Sequence, residues 1–120
     1  MTTKPFSAEL HPFPGLVVID LRGEINAFAE KYLNDTFSAA EASNPAAILL
    51  NFKDVHYMNS TGIALIVGLM SRARKNHRGL AVSGLSDHYT EIFKITRLSD
   101  FMTIYPDETA ALSAMFPQDQ

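Results

Sequence analysis

Apolar and polar positions alternate along this chain in two rhythms, one for strands and one for helices. Leu16 to Leu21 is β-branched and apolar, which predicts a strand that runs on into Arg22-Gly23-Glu24-Ile25. Ile48 to Phe52 is short, nearly all apolar and preceded by Asn44-Pro45, the pattern of a strand buried on both faces. Between them Ala29, Tyr32, Leu33, Phe37 and Ala40 recur at three- and four-residue spacing. They predict a helix with Glu30, Lys31, Asp35 and Glu41 on its wet side. Asn26 can cap its start, and Asn44-Pro45 stops it, because the residue before a proline avoids the α region. After a predicted loop over Lys53 to Met58, the residues Ile63, Ile66, Val67, Met70 and Ala73 mark a second helix, expected from near Ser60 to near Gly79.

The remaining segments repeat the theme. Phe6 to Leu10 reads as an edge strand, and His11-Pro12-Phe13-Pro14-Gly15 as a turn. Leu80-Ala81-Val82 is a further buried strand. Ser86 or Asp87 caps a helix through Tyr89, Ile92, Phe93 and Ile95, and Thr103-Ile104-Tyr105 is a last strand. Pro106-Asp107 opens a terminal helix with Ala110, Ala111, Leu112 and Met115, and Gln118-Asp119-Gln120 is expected to fray. Strands alternating with helices predict an α/β domain with crossover connections, its sheet mixed if the early strands pair as a hairpin and its helices mainly on one side.

Composition narrows the function classes. With 120 residues and 47% hydrophobic content, the chain is expected to form one folded, soluble domain. A net charge of −3 gives no electrostatic reason to expect nucleic-acid binding. Cysteine is absent, which removes disulfides and thiolate metal sites and fits a cytoplasmic location. The first residues lack the apolar run of a signal peptide, and Ile63 to Met70, the longest apolar run of its helix, is too short to span a bilayer.

Enzyme motifs fail at definite positions. A nucleophile elbow would need glycine where Met58 stands, and His56 has no identifiable triad partner. Gly79 to Gly84 has a Walker-A glycine spacing, but Leu85 occupies the place of the lysine. The four histidines have no paired spacing, so no metal site and no resident cofactor is expected. What stands out is Ser60, placed where a buried strand gives way to a long helix. Unpaired N–H groups and the helix dipole favour negative charge there. The plain role for Ser60 is a helix cap; the functional one is a phosphate acceptor, with Thr61 as fallback for both. Gly62, unfavourable in a first turn, suggests that a partner's backbone or active site approaches closely. Arg72, Arg74, Lys75, His77 and Arg78 read as cations complementing the helix dipole and solvating a face.

Three short motifs carry a family resemblance. Val55-His56-Tyr57-Met58-Asn59-Ser60-Thr61-Gly62-Ile63 resembles the phosphorylation loop of STAS domains, especially bacterial anti-sigma-factor antagonists. Leu21-Arg22-Gly23-Glu24-Ile25-Asn26 and Leu50-Asn51-Phe52 are similar to two further family motifs in the same order. The resemblance runs from about Gly15 to Met115. It implies a STAS-like α/β domain, a central mixed sheet of four or five strands packed by about four helices. It also implies a binding module, not an enzyme. The unmodified form would sequester an anti-sigma factor that is itself a serine kinase of the histidine-kinase-like ATPase fold. Phosphorylation at Ser60 with the partner's ATP would release it, and a phosphoserine phosphatase would reset it. The implied contact surface is Asn26, His56, Met58, Asn59, Thr61, Gly62 and Ile63. Asparagine stands at 26, 51 and 59, where the family often has aspartate. A different class, a STAS subunit of a sensory complex or lipid-transport ATPase that is never phosphorylated, is the alternative reading. Small-ligand binding at the Ser60 helix end is a third. Whether the chain forms a homodimer is left open.

Overall fold

The computed structural model describes residues 5–116. A hairpin opens the chain: β1 (Ser7–Phe13) pairs antiparallel with β2 (Leu16–Ile25), Glu9 opposite Asp20 and Pro12 opposite Val17. The predicted turn over residues 11–15 is therefore shorter than expected. His11, Pro12 and Phe13 belong to β1, and Gly15 makes the reversal with φ 76°. Proline fits because β1 is an edge strand, where a missing N–H costs no ladder bond. A short 3-10 turn, Ala27–Ala29, leads into α1 (Glu30–Glu41), which ends before Asn44, a left-handed residue at φ 55°.

Next comes β3 (Ala47–Met58), parallel to β2 along its whole length, with Leu16 opposite Ala47 and Ile25 opposite Met58. The loop expected over residues 53–58 is thus strand. Two register shifts in the β2–β3 ladder accommodate it, and its polar residues reflect the lack of a partner on the other side once β4 has ended. The helix α2 (Ser60–Lys75) follows, then β4 (Gly79–Ser83), α3 (Asp87–Ile95), a 3-10 turn at Leu98–Asp100, β5 (Thr103–Tyr105) and α4 (Glu108–Met115). Gly79 is not the helix stop: α2 ends a turn earlier, His77 takes the left-handed conformation at φ 58°, and Gly79 pairs with Ala47. Ser86, one of the two expected caps, accepts from Tyr89 N–H. The expected fraying of residues 118–120 lies outside the described residues.

Strand order is β1-β2-β3-β4-β5, with every pair after the first parallel. This is the mixed five-stranded sheet with four α-helices that the sequence predicts. Alternation along the strands splits the core in two. Val17, Ile19, Leu21, Ile48, Leu50 and Val82 face α1, α2 and α3, meeting Leu33, Phe37, Ile66, Leu69 and Phe93. Leu16, Val18, Leu49 and Ala81 face the other way, covered by Ala111 of α4. Two residues placed on apolar stripes by spacing lie outside: Tyr32 is 64% and Ile95 71% exposed, each at the margin of its helix's packed face.

The basic end of α2 is a solvated face only in part: Arg74, Lys75 and His77 are exposed, whereas Arg72 and Arg78 turn onto α1. Glu41, expected on the wet side of α1, has a side chain only 10% exposed. Its carboxylate accepts from Arg72 Nε at 2.8 Å, Asn76 Nδ2 at 2.8 Å and Arg78 Nε at 3.1 Å, tying α1, α2 and the start of β4 together. Arg74 stacks over the Phe101 ring, 4.7 Å from its centroid. Burial pushes the Glu41 carboxyl up, but the hydrogen bonds from Asn76 and Arg78 and the charge of Arg72 outweigh it and hold it below its ordinary value. Its stabilising contribution is therefore complete above about pH 4.3 and is lost as pH falls through the depressed native value. Glu41→Gln is expected to cost about 1–3 kcal/mol at pH 7 and much less at pH 3, measured by urea unfolding at both.

Candidate functional site

The two strand-to-helix turns, after β2 and after β3, meet at one end of the sheet. Because β2 and β3 are parallel and in register at Ile25 and Met58, the chain leaves both strands side by side. Asn59 N–H donates to the Ile25 carbonyl at 3.4 Å. Buried Tyr89 of α3 closes the arrangement from below: its hydroxyl accepts from Met58 N–H at 2.8 Å and donates to the Met58 carbonyl at 3.1 Å. The residue before the turn is thus held at both backbone polar groups.

Gly62 seats α2 on this junction. A Cβ built there would lie 1.9 Å from the Ile25 carbonyl oxygen. The close approach that glycine permits is thus an internal one, between α2 and the end of β2. The fold supplies an internal reason for glycine where the sequence suggested a partner's approach.

Asn59, rather than Ser60, caps α2: its Oδ1 accepts from Gly62 N–H at 2.8 Å. Ser60 is the first helical residue and is exposed, as is Thr61. With its hydroxyl relieved of capping, Ser60 stands at the surface beside first-turn N–H groups that have no intrahelical acceptor. No acidic residue lies in that turn. Asn26 makes the equivalent cap on the neighbouring turn, accepting from Phe28 N–H at 2.9 Å. Both asparagines supply hydrogen bonds without adding negative charge.

Of the sequence-predicted contact residues, His56 and Thr61 are exposed and Asn26, Asn59 and Ile63 half-buried. Met58 is 3% exposed and Gly62 is buried. These two shape the turn from within instead of offering surface, because Met58 points into the core and Gly62 lies under Ile25. Sequence reasoning passed over Phe28, which follows the Asn26 cap and is 94% exposed; Tyr57, inside the expected contact loop from His56 to Ile63, is 52% exposed. The signal for Phe28 was its position off the apolar stripe of α1.

Asn51 lies elsewhere, on the α4 face. Its Nδ2 donates to Asp20 Oδ1 at 2.8 Å and Glu108 Oε1 at 3.1 Å, while its Oδ1 accepts from Lys53 N–H at 3.2 Å and Ser83 Oγ at 3.4 Å. The amide is a donor between two carboxylates. Asn51→Asp is expected to destabilise by about 1–3 kcal/mol at pH 7, because a donor between two carboxylates becomes a third carboxylate. Thermal melts of the variant and wild type check it.

Comparison with known proteins agrees with this architecture. The STAS domain family model matches residues 7–111. An anti-sigma-B factor antagonist of Listeria monocytogenes is 30% identical over 86 residues, 72% of this chain and 75% of that protein. An anti-sigma factor antagonist from Mycobacterium paratuberculosis has the same fold, with TM-score 0.79 at 20% identity over 92% of this chain and 93% of its own. The Bacillus cell fate determinant SpoIIAA, solved in a phosphorylated form, superposes with TM-score 0.70 at 23% identity over 92% of this chain and 99% of its own. With the fold, the order of its motifs and the span of the match in agreement, this chain belongs to the STAS domain family.

Proposed function

We propose that this protein is an anti-sigma-factor antagonist gated by phosphorylation of Ser60, with Thr61 as the fallback acceptor. The antagonist role draws on the relatives that bear that name. In the unmodified state the paired turns bind an anti-sigma factor that is also a serine kinase of the histidine-kinase-like ATPase fold, freeing a sigma factor in the cytoplasm. The kinase transfers phosphate to the Ser60 hydroxyl, the complex separates, and a phosphoserine phosphatase restores the binding form. Exposed Phe28 and Tyr57 flank the turns and supply apolar contact area suited to a protein partner.

One observation carries this reading: Ser60 is exposed and its hydroxyl released from capping by Asn59, on a helix whose first turn holds no acidic residue. The helix end accepts the new charge in the free protein, whereas a partner packed on that turn would meet about −1.5 to −2 charges. Incubation with a candidate kinase anti-sigma factor and labelled ATP tests it. One phosphate per chain, lost in Ser60→Ala, is expected; no incorporation overturns the switch. No helix among the described residues is long and apolar enough to cross a membrane.

The asparagines at 26 and 59 favour a second reading. They leave no carboxylate beside Ser60 to take its proton, as in a STAS subunit of a larger sensory or transport assembly that is never modified. In that case the labelled-ATP assay stays blank.

A further inference from the structure

The hairpin pairing of β1 and β2 gathers three residues that their sequence spacing does not connect. Glu9 lies directly opposite Asp20, and His11 opposite Val18, so period-two alternation places Glu9, His11 and Asp20 on one face. It is the α4 face of the sheet, away from α1, α2 and α3, since Val18 of the same strand packs in the α4 cluster. His11 Nε2 is 2.9 Å from Asp20 Oδ2 and 3.8 Å from Glu9 Oε1. One ligating atom from each residue lies within 4.8 Å of the other two.

We propose that Glu9, His11 and Asp20 form a binding site for a divalent transition ion of the zinc class. The donor set is one imidazole nitrogen and two carboxylate oxygens, which suits zinc better than calcium or magnesium, whose ligands are oxygens. Zinc holds such atoms at about 2.0–2.2 Å, so its ligands stand roughly 3–4 Å from one another. The His11 contacts already fall close to that spacing, and both strands are held by the ladder.

Two further features point the same way. Carboxylates directly opposite on antiparallel strands repel, and the nearest guanidinium compensates them poorly. Arg22 approaches Glu9 only to 3.8 Å and is shared with Asp54, also at 3.8 Å. A dication between Glu9 and Asp20 converts that repulsion into attraction. Asp20 is also oriented from behind. Asn51 Nδ2 holds Oδ1 at 2.8 Å, leaving Oδ2 toward His11, and Asn51 is itself held by Lys53 and Ser83. Outer hydrogen bonds of this kind position ligands in metal sites. With side chains 58%, 43% and 19% exposed for Glu9, His11 and Asp20, an ion has direct access and water completes its coordination. A bound ion would clamp the edge strand β1 to β2.

The test is calorimetric titration of the full chain with zinc chloride in a non-chelating buffer. Saturation at one ion per chain is expected, with the thermal midpoint rising as zinc is added. His11→Gln and Glu9→Gln should each weaken binding at least about 10-fold, and exposed His88→Gln should not. Amide NMR shifts should centre on β1 and β2. Absence of saturable binding overturns the site. So does undiminished affinity in a folded His11→Gln chain, or, if that variant fails to fold, in Glu9→Gln. Loss of binding in His88→Gln alone would assign the zinc to an unrelated surface histidine and likewise end the proposal.

Discussion

Gly62→Ala is expected to destabilise the protein by more than about 3 kcal/mol, although alanine is the better helix former by up to about 1 kcal/mol. The added methyl would sit 1.9 Å from the Ile25 carbonyl oxygen and 2.7 Å from its carbon. Neither is the movable end of a side chain. Relief requires the first turn of α2 to lift from β2, against the Asn59 N–H bond to Ile25 and the Tyr89 clamp on Met58. Overpacking of this kind typically costs about 1–3 kcal/mol where side chains can yield, and backbone yields less. Gly68 of the same helix is the internal control. A Cβ there meets nothing within 4 Å, so Gly68→Ala is expected to stabilise by about 0.5–1 kcal/mol. Urea unfolding of the two variants should thus move in opposite directions. A Gly62→Ala chain as stable as wild type would mean that α2 does not seat on β2 through this glycine.

Charge on residue 60 is expected to separate two properties that a structural role would move together. In the free protein, Ser60→Asp should leave stability unchanged or raise it by about 0.3–1 kcal/mol, because the negative group sits at the positive end of α2. Against the kinase partner, the same change should weaken binding by at least about 10-fold, or more than 1.4 kcal/mol. Phosphoserine, with its larger charge, should weaken it further. Like charge or desolvation at a packed turn costs more than solvent-exposed charge at a helix end. Ser60→Ala should bind as well as wild type and no longer respond to ATP. Calorimetry of the three forms, alongside thermal melts of each alone, reads both halves. Equal affinity for all three would leave the paired turns without a switch. A parallel drop in stability would mean that the Asp variant damages the fold instead.

The local sequence was sufficient for whatever depends on burial against a single neighbouring layer. Strand runs such as Leu16–Leu21 and Ile48–Leu50, the stripes of α1 and α2, and the emergence of Ser60 at a helix start all follow from periodicity and turn chemistry. They are set by residues a few positions apart, and so were the motifs that placed the chain among STAS domains.

Tertiary structure decided the matters that turn on register and close approach. Residues 53–58, most of them polar, form strand because β2 offers them a ladder. Glu41 is enclosed because α2 and β4 bring Arg72, Asn76 and Arg78 to it from 31 to 37 residues away. Gly62 answers to a carbonyl of β2, Asn59 takes the cap that Ser60 could have taken, and Glu9, His11 and Asp20 meet only through the hairpin register. Hydrophobic patterning reports which side of an element faces the core. It carries no information on which polar group from a distant segment arrives opposite, since that depends on how the elements are offset once they pack.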